Sequence, residues 1–189
     1  MTSSADPVGA SIGSALCTEC GLCCTGALHK YAVLDADEID FARSIGMTLR
    51  TEGKPGFALP CPKLSDTCCS IYGDRPKVCR RFKCALLKRV DDRSIEFDAA
   101  AAFVAEARRL FDHVRAHLPD GMTIAMARAI NEASPTSHSD AIGRSSAMRL
   151  RLAIMALSLF LDQHFRKPGE GNLLSLETIA EDKQDTEMT

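Results

Sequence analysis

CPKLSDTCCSIYGDRPKVCRRFKC, residues 61–84, is the stretch around which this chain is organised. A shorter partner, CTECGLCC, lies upstream at residues 17–24. The two stretches hold all nine cysteines of the 189-residue chain, and no cysteine follows Cys84. Thiols concentrated in this way serve a local purpose, either binding or cross-linking, so they should determine how the first half of the chain folds.

The sequence favours a metal site over disulfides. The N-terminus has no Lys or Arg before Lys30 and no sustained apolar run, which disfavours a secretory signal and indicates the cytoplasm. Thiols stay reduced there, and a dense cysteine pattern is then more typical of metal binding. The odd count points the same way, because nine thiols cannot all pair.

The composition disfavours membrane and nucleic-acid partners. With 46% hydrophobic residues and a net charge of -2, the chain is typical of one soluble domain, with or without an appendage. Its most apolar window, residues 150–161, contains Arg151 and is shorter than the roughly 20 residues that span a bilayer. The basic residues from Arg75 to Arg93 have few interleaved aromatics, so we expect them to offset thiolate charge rather than bind nucleic acid.

Turn and capping signals divide the first half into short elements. Residues 1–14 have no apolar period, and the close cysteine spacing in residues 17–24 predicts tight loops. Residues 29–34 predict a short strand, and a helix should then begin at Asp35 and stop at Gly46.

A connector and a helix complete this half. Residues 51–60 are rich in turn signals and can carry one short strand. Pro76 should begin a helix that runs to about Val90. Cys79 and Cys84 would not share one face of it, so we expect a break near Cys79, or two metals.

The second half is predicted to be helical. Apolar periodicity predicts helices over residues 98–118, 123–133 and 145–165, with a polar loop at residues 131–143. The last helix carries an apolar stripe, formed by Met148, Leu152, Met155 and Leu159 and widened by Ile154, Leu157 and Phe160. We expect this stripe to pack against residues 98–118, and a partner-binding groove is the alternative.

These signals predict a mainly α fold, with a small irregular cysteine-rich region that metal stabilises and a C-terminal helical bundle. The cysteine-rich region should contain only a few short strands. The expected organisation is a flexible N-terminus (1–14), a cysteine-cluster metal-binding domain (15–92), a helical region (93–167) and a flexible tail (168–189).

The spacing of the first cysteines allows two kinds of metal site. Cys17, Cys20 and Cys23 have the spacing of the first three ligands in a bacterial ferredoxin run, which favours an iron-sulfur cluster. The pattern departs from that run at Cys24, which adjoins Cys23, so the two thiols should reach different metal atoms. Zinc is the alternative, because Cys-x2-Cys pairs also form zinc knuckles.

The combined cysteine segments resemble the YkgJ-like cysteine-cluster family, whose domains are associated with zinc or iron chelation through a CxxCxxCC motif. The family pattern continues as C-P-x-L and C-x-I-Y-x-x-R-P-x-x-C-R-x-F. The matching positions are Cys61, Pro62, Leu64, Cys69, Ile71, Tyr72, Arg75, Pro76, Cys79, Arg80 and Phe82, with Cys84 as the last thiol. The resemblance covers roughly residues 17–84.

This resemblance implies a set of eight metal ligands and leaves Cys68 as a spare thiol. The implied ligands are Cys17, Cys20, Cys23, Cys24, Cys61, Cys69, Cys79 and Cys84. They could form two four-thiolate sites, or one cluster and a second metal. The implied cofactor is an iron-sulfur cluster, of the 4Fe-4S type, or zinc.

Histidines and carboxylates add no clear site. His29 could join a metal shell, and His113 and His117 have the i, i+4 spacing of helical metal ligands, but ordinary surface roles are favoured for all three. The sequence presents no nucleophile and base pair and no phosphate-binding loop, so it assigns no catalytic residue.

The leading hypothesis is a cytoplasmic metal-binding protein with metal ions as its partners. One alternative is a protein lysine methyltransferase, because the resemblance extends to the cysteine domain of bacterial flagellin lysine N-methylases. Another is a zinc-stabilised adaptor whose last helix binds a protein partner.

Overall fold

Helices account for most of the fold, which confirms the mainly α prediction. The computed structural model describes residues 12–50, 52–133 and 144–167. The helices are α1 (Ile12–Cys20), α2 (Ile39–Ser44), α3 (Lys77–Arg81), α4 (Ala85–Asp91), α5 (Phe97–Arg115), α6 (Ile124–Ala133) and α7 (Arg144–His164). The predicted loop beyond Ala133, the tail and most of the lead-in lie outside the described residues.

The strands are short and antiparallel. Strand β1 (Tyr31–Val33) pairs with β2 (Gly56–Ala58) so that Ala32 faces Phe57. Strand β3 (Leu64–Ser65) pairs with β4 (Cys68–Cys69), and Leu64 faces Cys69. The first pair confirms the predicted strands, whereas the second is a tight hairpin within the cysteine segment.

The region between β1 and β2 follows its capping signals. A 3-10 turn at Ala36–Glu38 leads directly into α2, and Asp35 precedes the turn as predicted. Gly46 follows the helix with φ of +76°, a left-handed conformation that glycine adopts without steric cost. The predicted helix and its stop are therefore confirmed.

The break predicted between Cys79 and Cys84 is also present. Cys79 lies in α3, and the extended backbone of Phe82 ends that helix. Cys84 is the N-cap of α4, and its sulfur accepts a hydrogen bond from the amide of Leu87 at 3.4 Å. Because of this interruption, Cys79 and Cys84 belong to two different helices.

The first cysteine segment differs from the prediction. Cys17 and Cys20 lie on the last turns of α1 rather than in tight loops. Leu16, 2% exposed, anchors this helix in the core, which favours a helix over the loop that the spacing suggested. Gly21 ends the helix with φ of +64°, and a Cβ there would lie 2.9 Å from the Cα of Thr67.

Two apolar cores hold the chain together. The larger core joins α1, α4, α5, α6 and α7, and it includes Leu16, Leu22, Leu86, Val104, Phe111, Val114, Ile154, Leu157 and Leu161. The smaller core lies around β1, β2 and α2, and it consists of Leu34, Ala42, Met47, Phe57, Leu59 and Cys61. Helix α1 therefore connects the cysteine segments to the helical half.

The predicted packing of the α7 stripe is wrong for four of its side chains. Met148, Leu152, Met155 and Leu159 are 55%, 58%, 42% and 48% exposed. Ile154 and Leu157 are buried, because the face of α7 that meets α5 is set by Leu150, Ala153, Ile154, Leu157 and Leu161. One side of α7 is therefore more exposed to solvent than its apolar periodicity predicted.

None of the helices in the described ranges has the length and apolarity needed to cross a bilayer.

Candidate metal site

A single cavity of about 510 Å³ lies between the two cysteine segments. Eight cysteines line it: Cys17, Cys20, Cys23, Cys24, Cys61, Cys69, Cys79 and Cys84. These are the eight thiols that the family resemblance implies as ligands. Cys68 is exposed and does not line the cavity.

Each thiol is placed by a separate local feature. Helix α1 carries Cys17 and Cys20. The turn after Gly21 carries Cys23 and Cys24. The amide of Cys61 donates to the carbonyl of Cys24 at 2.8 Å, so the two cysteine segments are joined by backbone.

Hairpin geometry separates Cys69 from its neighbour. Successive side chains in a strand point to opposite faces, so Cys68 and Cys69 in β4 face opposite ways. Cys69 lines the cavity, whereas the Cys68 sulfur lies 3.6 Å from the carbonyl of Thr18, to which it donates.

Burial raises the pKa of seven of the eight lining thiols, which favours their protonated form while no metal is bound. It raises the pKa of Cys20 and of Cys24 to about 12, and that of Cys79 to about 11. Repulsion from other thiolates adds to each of these increases. A metal that binds here therefore displaces protons as it forms its bonds.

Backbone amides partly offset the effect of burial on the thiol pKa values. Hydrogen bonds from Leu22 to Cys20, and from Lys63 and Leu64 to Cys61, lower the pKa of those thiols against the larger effect of burial. Amides aimed at sulfur are a means by which proteins stabilise and tune bound thiolate clusters.

Positive charge at the cavity comes from Arg75, together with Arg80 and Lys83, which also line it. The Arg75 guanidinium stacks 3.7 Å from the centre of the Tyr72 ring, and both residues line the cavity. The buried Nε of Arg75 has no hydrogen-bond partner among the described residues. An anionic centre in the cavity would supply the missing acceptor.

Other members of the basic segment have structural roles. The Nζ of Lys77 lies 2.6 Å from Asp37, and Arg81 lies 3.2 Å from Asp35. The buried carboxylate of Glu38 accepts a hydrogen bond from the amide of Lys77 at 2.7 Å. These contacts fix α3, and with it Cys79, beside the 3-10 turn.

Three arginines from the helical half, none of them predicted from the sequence, donate hydrogen bonds to backbone carbonyls of residues 20–28, which we call the cysteine loop. Arg108 donates to the carbonyl of Cys20 at 3.2 Å, and Arg128 donates to that of Ala27 at 2.7 Å. Arg166 donates to the carbonyls of Leu28 and Ala27 and pairs with Asp162. The i, i+4 spacing of Asp162 and Arg166 was the available signal, but the carbonyl contacts are long-range.

The histidines differ in their relation to the cavity. His29 lines it and packs edge-on against Phe82, with ring centres 4.8 Å apart. His113 and His117 lie on and just after α5, where Nδ1 of His117 is 2.8 Å from the carbonyl of His113. They border a separate groove that Arg149 and Leu152 of α7 also line.

The thiols surround the cavity without meeting at one point. Among residues 12–50, 52–133 and 144–167, no three Cys, His, Asp or Glu side chains converge closely enough to hold a single metal ion.

Comparison with known proteins gives one match. The model of the CxxCxxCC family, described as a "putative zinc- or iron-chelating domain", matches residues 16–102. All nine cysteines lie in this range. Neither a curated protein nor a solved structure matches the chain.

Proposed function

We propose that the eight cavity-lining thiolates hold iron as iron-sulfur clusters, and the match of residues 16–102 to the model of a "putative zinc- or iron-chelating domain" supports this proposal. The clusters are of the 4Fe-4S type, in which each iron takes one cysteine thiolate. The protein is then a metal-binding protein with a redox or cluster-dependent role.

Eight thiols that line one cavity carry this proposal. Two clusters of the 4Fe-4S type need eight thiolates, one for each iron. Soft thiolates suit zinc as well, and the ferredoxin spacing of Cys17, Cys20 and Cys23 favours the cluster.

The surroundings of the cavity fit an anionic cluster. Apolar side chains such as Leu22, Phe57 and Leu86 line it and limit access of water. The amide of Leu87 donates a hydrogen bond to the sulfur of Cys84 at 3.4 Å, and Arg75 supplies positive charge. Burial, hydrogen bonds to sulfur and net charge are the features that set a cluster's potential.

The chain's residues have defined parts in such a site. The thiolates bind iron, and the spacing of Cys17, Cys20 and Cys23 matches the start of a ferredoxin run. When bound, the cluster supplies one-electron chemistry. Arg75 offsets the negative charge of the thiolates, and the apolar lining keeps solvent from the iron.

An absorption spectrum tests the proposal. The full chain is purified without oxygen and reconstituted in parallel with ferrous iron plus sulfide, or with zinc. We expect a brown protein with a broad band near about 400 nm that dithionite bleaches. A colourless protein that retains zinc in preference to iron under both conditions would contradict it.

The two alternative hypotheses stay predictions. Titration of the chain with S-adenosylmethionine, followed by calorimetry, tests the methyltransferase. The adaptor requires zinc in the cysteine region, so iron and sulfide in that region would exclude this alternative.

A further inference from the structure

Seven of the eight thiols lie in or beside one of two different cores. Cys20 is buried in the larger core, and Cys17, Cys23 and Cys84 pack against it. Cys61 is buried in the smaller core, and Cys24 and Cys79 pack against that one. The boundary between the two groups of thiols falls between Cys23 and Cys24. These adjacent residues therefore pack against different cores.

Backbone connections place Cys69 with the thiols of the smaller core. The amide of Leu64 donates to the carbonyl of Cys61 at 3.1 Å, and Leu64 pairs with Cys69 across the hairpin. The amide of Cys61 in turn donates to the carbonyl of Cys24 at 2.8 Å. Three of the four thiols on this side are thus tied through one short backbone path.

The remaining thiols are joined by the packing of two helices. Helix α1 carries Cys17 and Cys20 and packs against α4, of which Cys84 is the N-cap. Cys23 follows α1 by three residues, in the turn after Gly21. A four-thiol arrangement therefore forms wherever α1 and α4 are in place.

We propose that these two sets are separate metal centres, each held by four thiolates. The first centre uses Cys17, Cys20, Cys23 and Cys84, and the second centre uses Cys24, Cys61, Cys69 and Cys79. This division rests on the proposed function and deepens it, because it assigns every ligand to a centre and leaves Cys68 outside both.

Arg75 lies at the wall of the cavity that both sets of thiols line, where its guanidinium stacks on the Tyr72 ring. Its positive charge can therefore offset negative charge in that cavity.

Paired substitutions test the division. The full chain is reconstituted anaerobically with ferrous iron and sulfide, and iron per chain is measured. A pair within the first centre, Cys20→Ser with Cys84→Ser, should lose half of the iron. A pair across the centres, Cys20→Ser with Cys79→Ser, should lose all of it.

Two results would overturn the division. One is a cross-centre pair that keeps half of the iron. The other is a within-centre pair that loses all iron although its far-UV circular dichroism matches that of the wild type. The single substitution Cys68→Ser is the matched control and should keep the full iron content.

Thiol labelling of the wild type keeps the division testable if the variants do not fold. Iron is withdrawn in steps by a chelator, and released thiols are alkylated and located by mass spectrometry. Cys24 should become reactive together with Cys61, Cys69 and Cys79, and Cys23 with the other set. Partial labelling that mixes the two sets would refute the division.

Failure of the proposed function gives a different result. A chain that binds one zinc ion per centre and no sulfide, with the same response to paired substitutions, would refute iron-sulfur binding. The division of the thiols would stand in that case.

Discussion

Cys68 and Cys69 are adjacent in sequence, but the structure gives them different surroundings. Cys69 lines the cavity and Cys68 is exposed, because the two lie on opposite faces of β4. The family pattern selected Cys69, whereas cysteine spacing alone could not choose between them. The local hairpin supplies the physical reason for the choice.

Substitution of these two residues should therefore have unequal effects. Cys69→Ser should lose the metal of one centre, since it removes a thiolate that serine does not replace, whereas Cys68→Ser should keep the wild-type metal content. Metal per chain, measured after anaerobic purification, checks this. Metal loss in the Cys68 variant together with retention in the Cys69 variant would reverse the ligand assignment.

His164 gives the helical half a defined pH dependence. Burial lowers its pKa from the ordinary value of 6.5, and the charge of Arg89 lowers it further. Its ring stacks on Phe103, with ring centres 4.1 Å apart. The folded chain therefore resists protonation of this ring more than the unfolded chain does.

The free energy of unfolding of the metal-loaded protein should fall as the pH drops below about 6.5, because the unfolded chain then binds more protons. The contribution of His164 is complete above that pH and is lost as the pH passes through the lowered folded pKa. His164→Phe should flatten this part of the profile. Urea unfolding between about pH 5 and about pH 7.5 measures it, and an unchanged slope in the variant would contradict the assignment.

At the scale of elements, periodicity predicted which helices form better than which faces they bury. The helices α5, α6 and α7 lie close to their predicted ranges. The predicted burial of the α7 stripe was wrong, because α7 has more apolar residues than positions that can face α5. Periodicity identifies an apolar face, but the rotation of a helix against its neighbour depends on the whole core.

Substitutions in α7 should separate its two faces. Leu152, 58% exposed, should tolerate Leu152→Ala within about 0.5 kcal/mol of unfolding free energy, as an ordinary surface position does. Leu157, 1% exposed, should lose about 2–5 kcal/mol on Leu157→Ala, because a cavity forms in the core. Chemical denaturation of both variants compares them, and equal losses would place Leu152 in the core.

Arg166 connects the helical half to the cysteine loop. Its side chain is 3% exposed and that of Asp162 is 15% exposed. Arg166→Met would remove the ion pair with Asp162 and the hydrogen bonds to the carbonyls of Ala27 and Leu28, of which only Ala27 keeps a donor in Arg128. We expect a loss of about 3–5 kcal/mol in unfolding free energy and faster release of metal to a chelator.

A surface pair provides the matched control for this prediction. Arg115 lies 3.5 Å from Asp112, and both side chains are more than half exposed. Arg115→Met should change stability by less than about 1 kcal/mol, because solvent screens such pairs. Similar losses in the two variants would show that the arginine at the cysteine loop has no special role.

Across the whole molecule, the sequence predicted the local pieces of the site but not their assembly. The interrupted helix between Cys79 and Cys84 followed from helix geometry, and β1 and α2 followed from turn and cap signals. Helix α1 was missed because two cysteines and a glycine obscure its helical pattern. The arginine contacts were missed because they join residues more than 80 positions apart.

The division of thiols belongs to this whole-molecule level. Cys84 reaches Cys17 and Cys20 only because α4 packs on α1. Cys24 reaches Cys61 through a backbone hydrogen bond between distant segments. Spacing along the chain contains neither relation, so the sequence and motif could predict eight candidate ligands, whereas their proposed grouping can be argued only from the three-dimensional structure.

Metal and sulfide content of the anaerobically purified wild-type chain tests the central claim most directly. Two clusters of the 4Fe-4S type require equal amounts of iron and acid-labile sulfide, about eight of each per chain, with little zinc. Zinc without sulfide, at about two ions per chain, would contradict iron-sulfur binding and identify the cysteine region as a pair of zinc sites.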